Sequence, residues 1–288
     1  MHIPVLLNEV IEFLNPQPGE NFVDCTLGFA GHSKAILEKT KPNGRVLGIE
    51  WDRAVCQQVA GEEIERLVVA NDSYINLAEI VERENFEPVN GILLDLGMSS
   101  WDLESGRGFS FQKDEPLDMR YGGQGLTAQE IINKWPEQEL ARIFREYGQE
   151  RFAKNIAQKI VDIRCRQPIE TTFQLIEVIR QSFPRSYKFG RQPLAARTFQ
   201  ALRIAVNSEL ENLENVLPQA MDLLAPGGRL VIISFQSLED KIVKNFFKEQ
   251  QSQGQLQILT KKPIMAGSSE MRNNSRARSA KLRVAIKL

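Results

Sequence analysis

Cysteine is scarce in this chain: three in 288 residues. Cys25, Cys56 and Cys165 stand singly, which supports neither a zinc site nor a disulfide framework and suits a reducing cytoplasm. No metal is expected. Long hydrophobic runs are lacking too; none approaches the ~18 apolar residues of a membrane span, so no membrane partner is expected. The first residues carry Glu9 and Glu12 and no basic leader, which argues against a signal peptide. The dinucleotide fingerprint G-x-G-x-x-G is missing as well. What is present is ordinary for a soluble globular protein, 42% hydrophobic and 25% charged, in a chain long enough for one large domain or two modest ones.

The near-neutral net charge of −1 conceals an asymmetry. Residues 1–110 hold 8 basic and 18 acidic side chains, whereas residues 141–206 hold 13 basic and 5 acidic. The stretch 261–288 has 8 basic residues and one acid, Glu270. One basic helix face is commonly just solvated. Two separate basic segments in one chain point to a polyanion, most simply nucleic acid.

The acidic part carries the most informative stretch, Phe22-Val23-Asp24-Cys25-Thr26-Leu27-Gly28-Phe29-Ala30-Gly31-His32. It reads as a buried strand ending in an acid, a turn of small residues, and a helix beginning near Ser33. About twenty residues on, Arg45–Ile49 reads as a second strand ending in an acid, Glu50. This pairing fits a nucleoside cofactor: small residues let the backbone approach the ligand, and the second acid accepts hydrogen bonds from ribose hydroxyls. A carboxylate at Asp24 would repel a pyrophosphate and suit an ammonium group, which favours S-adenosylmethionine (SAM) over a dinucleotide.

Around this stretch the chain alternates strand and helix. A helix is expected over Arg53–Ala60, a strand over Leu67–Ala70, a helix over Ile75–Asn85, and a buried strand Gly91–Leu94 ending in Asp95. Short apolar strands separated by amphipathic helices imply a mostly parallel, doubly wound α/β sheet. Pro226-Gly227-Gly228 should end a helix before strand Arg229–Ile233. Helix Leu238–Glu249 and strands Leu256–Thr260 and Lys281–Ile286 follow, the last two as a hairpin, an ending characteristic of the Rossmann-like class I SAM methyltransferases. Between Asp95 and Asn207 the rhythm breaks into glycine-rich loops and helices. One helical face carries Phe152, Ile156, Ile160 and Ile163, another Phe173, Ile176, Ile179 and Phe183, both expected in a core. The division expected is a SAM-binding core over 1–105 and 206–288 and an inserted helical substrate-recognition domain over 106–205, placed at the sheet edge where ligands bind.

Nine motifs in order then resemble one family. They run from His2–Glu9 and Asp24–His32 through Gly91–Ser100, Arg107–Phe111, Pro116–Arg120 and Arg197–Ile204 to Pro226–Leu230, Ser234–Asp240 and Ser275–Arg283. The chain resembles, nearly end to end, the ribosomal RNA small subunit methyltransferase H family, cytoplasmic MraW-like enzymes of rRNA processing that methylate N4 of a cytidine in the decoding region of 16S rRNA. The resemblance implies SAM as cofactor and RNA binding, with 16S rRNA, within the small ribosomal subunit, as partner. It implies cofactor contacts at Ala30, Gly31, His32, Glu50, Tyr74, Asp95 and Asp102, to which the turn adds Gly28.

Several positions depart from the family pattern. Ala30 stands where glycine is usual, a methyl tolerable if φ is negative there. Glu50 replaces Asp, Tyr74 replaces Phe, Asp102 replaces Gln, and Gln236 replaces a His. The only histidines are His2 and His32, so a histidine base at 236 is impossible. Cytosine N4 is a weak nucleophile whose proton becomes acidic only as the methyl arrives, so positioning and a proton acceptor matter more than a strong base. Many amino-methyltransferases place an Asp/Asn-Pro-Pro-aromatic loop after the fourth strand; Asp95-Leu96-Gly97-Met98-Ser99-Ser100 occupies that place here. The catalytic candidates are Asp95 and Asn207, the latter expected to open the helix after the insert. Extruding a structured cytidine calls for phosphate contacts, for which Arg197, Arg203, Arg276, Arg278, Lys281 and Arg283 are the candidates. Lys281 and Arg283 alternate along a strand and are expected to share an exposed face. Two rivals remain open at this level: a dinucleotide-dependent oxidoreductase on the same sheet, and a non-catalytic RNA-binding assembly factor.

Overall fold

The structure, a computed structural model, describes residues 3–184 and 194–288. Part of the basic segment 141–206 therefore lies outside the described residues. Two compact units emerge, Met1–Gly97 with Leu210–Leu288, and Met98–Glu209.

The first unit begins with helix α1 (Leu7–Leu14). It continues β1 (Phe22–Asp24), α2 (Gly31–Lys39), β2 (Val46–Glu50), α3 (Arg53–Ala60), β3 (Leu67–Asn71), α4 (Leu77–Arg83) and β4 (Val89–Asp95). The second unit carries α5 (Ser100–Glu104), α6 (Ala128–Lys134), α7 (Glu137–Glu146), α8 (Ala153–Arg164), α9 (Thr172–Gln181) and α10 (Ala196–Asn207). The chain then returns through α11 (Glu209–Leu223), β5 (Leu224–Ser234), α12 (Ser237–Ser252), β6 (Leu256–Ile258), α13 (Ser268–Asn273) and β7 (Lys281–Lys287).

In the first unit the described strands form one sheet in the order β3-β2-β1-β4-β5-β7-β6. The first five are parallel; β7 runs antiparallel to β5, and β6, antiparallel to β7, runs in the direction of the first five. The strands read as continuous apolar runs because both faces are covered. Val23, Leu47, Ile92 and Leu230 face α4, α11 and α12; Phe22, Val46, Leu93 and Val231, one residue out of phase, face α1 and α2. The expected hairpin is corrected: β6 and β7 pair antiparallel, but α13 and a 3-10 turn, Ser275–Arg278, lie between them in the chain. Pro226-Gly227-Gly228 does not close a helix either; it lies within β5, opposite a register shift between Val89 and Gly91.

The second unit has its own apolar core. Helix α8 buries Ala153, Ile156, Ala157 and Ile160, the i, i+3, i+4, i+7 face of a helix. Capping boxes start α6 (Thr127 with Glu130) and α9 (Thr171 with Gln174) by satisfying the first free N–H groups. Phe173 is the exception to the expected core: it is 48% exposed, and α9 turns Leu175, Val178 and Ile179 inward instead. Its inward face lies about one residue back from the one read from the aromatic spacing.

Candidate functional site

The strand order reverses between β1 and β4, the switch point where α/β sheets bind ligands beyond their carboxyl ends. There β1 ends in Asp24 and β4 in Asp95. The turn after β1 is held by backbone bonds to both neighbours, Cys25 N–H to Leu93 O at 2.9 Å and Leu27 N–H to Ile49 O at 2.9 Å. The Thr26 hydroxyl oxygen accepts from Asp95 N–H at 2.7 Å, a cross-tie the sequence reading missed.

The two acids are used differently. Asp24 is 1% exposed; it accepts from the Ser33 hydroxyl at 2.7 Å and from Thr26 N–H at 3.2 Å. Burial pushes its carboxyl above the ordinary range, while the His32 ring and the Ser33 and Thr26 bonds oppose that rise. Expected to face a ligand ammonium, Asp24 instead ties its own turn to α2. Asp95 has a buried Oδ1 with no hydrogen-bond partner. Its Oδ2 lies 3.8 Å from His32 Nδ1, and the Asp95 side chain is 10% exposed. Burial pushes the Asp95 carboxyl up to about 6; the His32 ring and the Arg276 guanidinium pull it down, and Asp24 adds to the rise.

Helix α2 opens at this turn. Ala30 precedes it at φ 59°, ψ 27°, so the condition of a negative φ is not met. The left-handed backbone costs an L-residue on the order of 1–2 kcal/mol. Ala30 is fully buried against Leu27, Val55 and Val59, and that contact offsets part of the cost. Gly28 is also left-handed (φ 49°), and the space its missing Cβ leaves is open, the nearest atom being Thr26 O at 4.0 Å. A Cβ on Gly31 would run into the ring of Pro4. His32 is 6% exposed, and its Nε2 lies 3.0 Å from Val5 O. A carbonyl only accepts, so Nε2 carries a hydrogen and Nδ1 is the nitrogen turned to Asp95.

Glu50 ends β2 with its carboxylate folded toward the turn, accepting from Gly28 N–H at 3.0 Å and from Asp52 N–H at 2.8 Å. The extra methylene relative to Asp is taken up by that fold-back. Tyr74 opens the 3-10 turn after β3, half-buried against the core. Among the described residues, no three His, Cys, Asp or Glu side chains gather as metal ligands.

Asp102, expected as a cofactor contact, belongs to the second unit, where its carboxylate makes these bonds. Its Oδ2 accepts from Ser99 N–H at 2.8 Å and from the Ser99 hydroxyl at 2.7 Å, capping α5, and its Oδ1 pairs with Arg107 at 3.2 Å. For Asn207 the expected helix position is corrected: it closes α10 rather than opening a helix, and it is 4% exposed. Its amide donates to Met119 O at 2.7 Å and Arg203 O at 2.9 Å and accepts from Tyr121 N–H at 3.0 Å. The bonds to Met119 and Tyr121 hold the 119–121 loop and the bond to Arg203 stays within α10; Arg107 also binds this loop, at Arg120 O and Tyr121 O. Gln236, in the place of a family histidine, donates to Glu239 Oε1 at 2.9 Å at the start of α12.

The basic candidates divide the same way. Arg203 binds Glu209 through two bonds of 2.7 and 2.8 Å. Arg283 is 7% exposed and sits 2.6 Å from Asp240, which Lys281 also approaches at 3.5 Å. The shared face of Lys281 and Arg283 is real, but both turn to Asp240 of α12, which leaves Arg283 buried and Lys281 31% exposed. Arg197 is half-buried and reaches Gln149 O at 3.4 Å; Arg276 is half-buried; Arg278 is exposed with a long bond to Met271 O.

The whole chain, residues 1–288, matches the MraW methylase family. It is 45% identical to a ribosomal RNA small subunit methyltransferase H of Heliobacterium modesticaldum, covering 100% of this chain and 98% of that one. Enzymes of the same name from Kosmotoga olearia and Syntrophotalea carbinolica are 45% and 43% identical, each covering 100% of this chain and 97% and 98% of theirs.

Proposed function

The chain belongs to the MraW methylase family, and from that premise we propose that it is a SAM-dependent methyltransferase that modifies N4 of a cytidine in the decoding region of 16S rRNA. The observation that carries the site assignment is the buried, partnerless Oδ1 of Asp95 at the sheet's switch point. A buried polar atom without a partner costs about 1–3 kcal/mol, and a ligand donor at this edge relieves it. The open space at Gly28 beside the Glu50 carboxylate fits a nucleoside in the same way.

When bound, SAM supplies a sulfonium-activated methyl group. The Gly28–His32 turn offers the close backbone approach, the Glu50 carboxylate at the end of β2 is the acceptor for ribose hydroxyls, and Tyr74 offers an aromatic face for adenine. Asp95 serves as the acceptor for the amino proton of the target cytosine. A carboxyl held up to about 6 is ionised at neutral pH yet basic enough to take that proton as the new N–C bond forms. No helix of the described residues is long and apolar enough to cross a membrane, in keeping with a cytoplasmic enzyme acting on small ribosomal subunits. The helical unit 98–209 supplies substrate recognition, and Arg197, Arg276 and Arg278 are the phosphate contacts; Arg203, Lys281 and Arg283 leave that set because Glu209 and Asp240 already hold them.

The test is methyl transfer from labelled SAM to small subunits from cells lacking this activity, with the digested nucleosides identified by mass spectrometry. N4-methylcytidine at one site is expected. SAM binding without transfer would instead favour a non-catalytic RNA-binding factor.

A further inference from the structure

Three features of the first unit have so far stood apart: the opening segment Ile3–Leu6, the lone acid of the basic tail, and the fixed ring of His32. One chain of contacts joins them. Glu270 Oε1 accepts from Leu6 N–H at 2.7 Å, and Asn274 Nδ2 donates to Ile3 O at 3.1 Å. The strap so held runs over the cofactor turn. Pro4 lies where a Cβ on Gly31 would be, and Val5 O sits 3.0 Å from His32 Nε2. Leu6 is fully buried in the left-handed region at φ 54°, a conformation that a leucine keeps only where its surroundings enforce it.

The chemical consequence lies on His32. With Nε2–H fixed on a carbonyl, the nitrogen that faces Asp95 Oδ2, 3.8 Å away, is Nδ1 with its lone pair. Without the strap the ring is free to carry its single hydrogen on either nitrogen, and the field at Asp95 changes with it. The titratable and charged groups around Asp95 are His32 from α2, Asp24 from β1 and Arg276 from the turn after α13. Of these, the ring is the one whose hydrogen placement the strap controls.

We infer that Glu270 is a positioning residue for methyl transfer: through Leu6 it holds the Ile3–Leu6 strap, whose Val5 carbonyl fixes the His32 tautomer and thereby the proton-accepting state of Asp95. This rests on the reading of Asp95 as proton acceptor. It also explains why the tail spares one acid: Glu270 serves the strap and not the RNA.

Two histidines in the chain make the tautomer directly readable. The full-length protein with His2→Asn and 15N-labelled imidazole shows, by two-dimensional NMR, which nitrogen of His32 carries hydrogen. Nε2–H alone is expected; Nδ1–H overturns the inference with no further variant needed. Glu270→Ala is expected to give a mixture of tautomers, to lower kcat about tenfold to a hundredfold and to move the acidic limb of its pH profile. KM for small subunits should stay within about twofold. Glu270→Gln, whose amide oxygen still accepts from Leu6 N–H, should restore tautomer, kcat and profile. A rise in KM at unchanged kcat makes Glu270 an RNA-facing residue and overturns the inference, as does a Glu270→Ala enzyme with the wild-type tautomer and profile. Should Glu270→Ala not fold, the wild-type tautomer and the Glu270→Gln profile decide. Asp95→Asn separates the two readings. Full kcat in that variant removes Asp95 as acceptor, and with it the catalytic half of the inference, whereas the tautomer result judges the strap by itself.

Discussion

Two adjacent parallel strands end in aspartates that were indistinguishable as residues and are opposite in use. Asp24 closes β1 with its carboxylate bound by Ser33 and Thr26. Asp95 closes β4 with one oxygen unpartnered and a histidine 3.8 Å from the other. Burial raises both. The difference lies in what compensates the burial: local hydrogen bonds for Asp24, an incomplete set of partners for Asp95. A satisfied buried acid reads as structure. An unsatisfied one at a switch point reads as a site, since a fold keeps such a cost where function repays it.

The largest effect should come from removing the unsatisfied acid. Asp95→Asn should lower kcat for methyl transfer by about 10²–10⁴, the usual worth of a proton acceptor, and at pH 7.5 should raise stability in urea unfolding. The shift from 3.8 to about 6 corresponds to roughly 3 kcal/mol, an upper bound because a tenth of the side chain is still exposed. Because the folded state holds this proton more tightly than the unfolded chain, wild-type stability should fall as pH rises from about 4 to about 6 relative to the variant. Activity should rise over the upper part of that window. Unfolding curves of both proteins at pH 4.5, 5.5 and 7, with kcat in the same buffers, check the sign; a difference that grows in the wild type's favour with pH would count against it.

The basic residues offer the same contrast between spent and unspent charge. Arg283→Ala leaves Asp240 beside Lys281 alone and should cost about 3 kcal/mol of stability, near the low end for a buried pair, with little effect on the salt dependence of RNA binding. Arg278→Ala should leave stability within about 0.5 kcal/mol and reduce the salt slope of RNA binding by about 0.7–0.9, one phosphate contact. Filter binding across a salt series separates the two.

Disturbing the satisfied acid should hurt folding rather than chemistry. Ser33→Ala leaves Asp24 Oδ2 without its donor and should cost about 1–3 kcal/mol, with kcat per folded molecule unchanged; a kcat loss like that of Asp95→Asn would erase the distinction. Smallest of all is Ala30→Gly. Relief of the left-handed backbone, on the order of 1–2 kcal/mol, is opposed by the loss of a buried methyl, about 0.8 kcal/mol, and by the extra freedom of an unfolded glycine, about 0.4–1 kcal/mol. The melting temperature should therefore change little.

Period and chain position settled much of this beforehand. The parallel strands, helix Arg53–Ala60, the acids closing β1, β2 and β4, and the small-residue turn are local patterns, fixed by alternation and by residues a few positions apart. The resemblance in nine ordered motifs already pointed to the family. Ala30, Phe173 and Asn207 were misjudged because a φ angle, the phase of a helix face and a helix boundary depend on what lies opposite. Which groups are spent was beyond reach altogether. Arg283 finds Asp240 across 43 residues, and Leu6 finds Glu270 across 264. A hydrogen bond satisfies a group wherever its partner arrives from, so composition and spacing defined the candidates, and the tertiary structure alone decided which carboxylate was left without a partner.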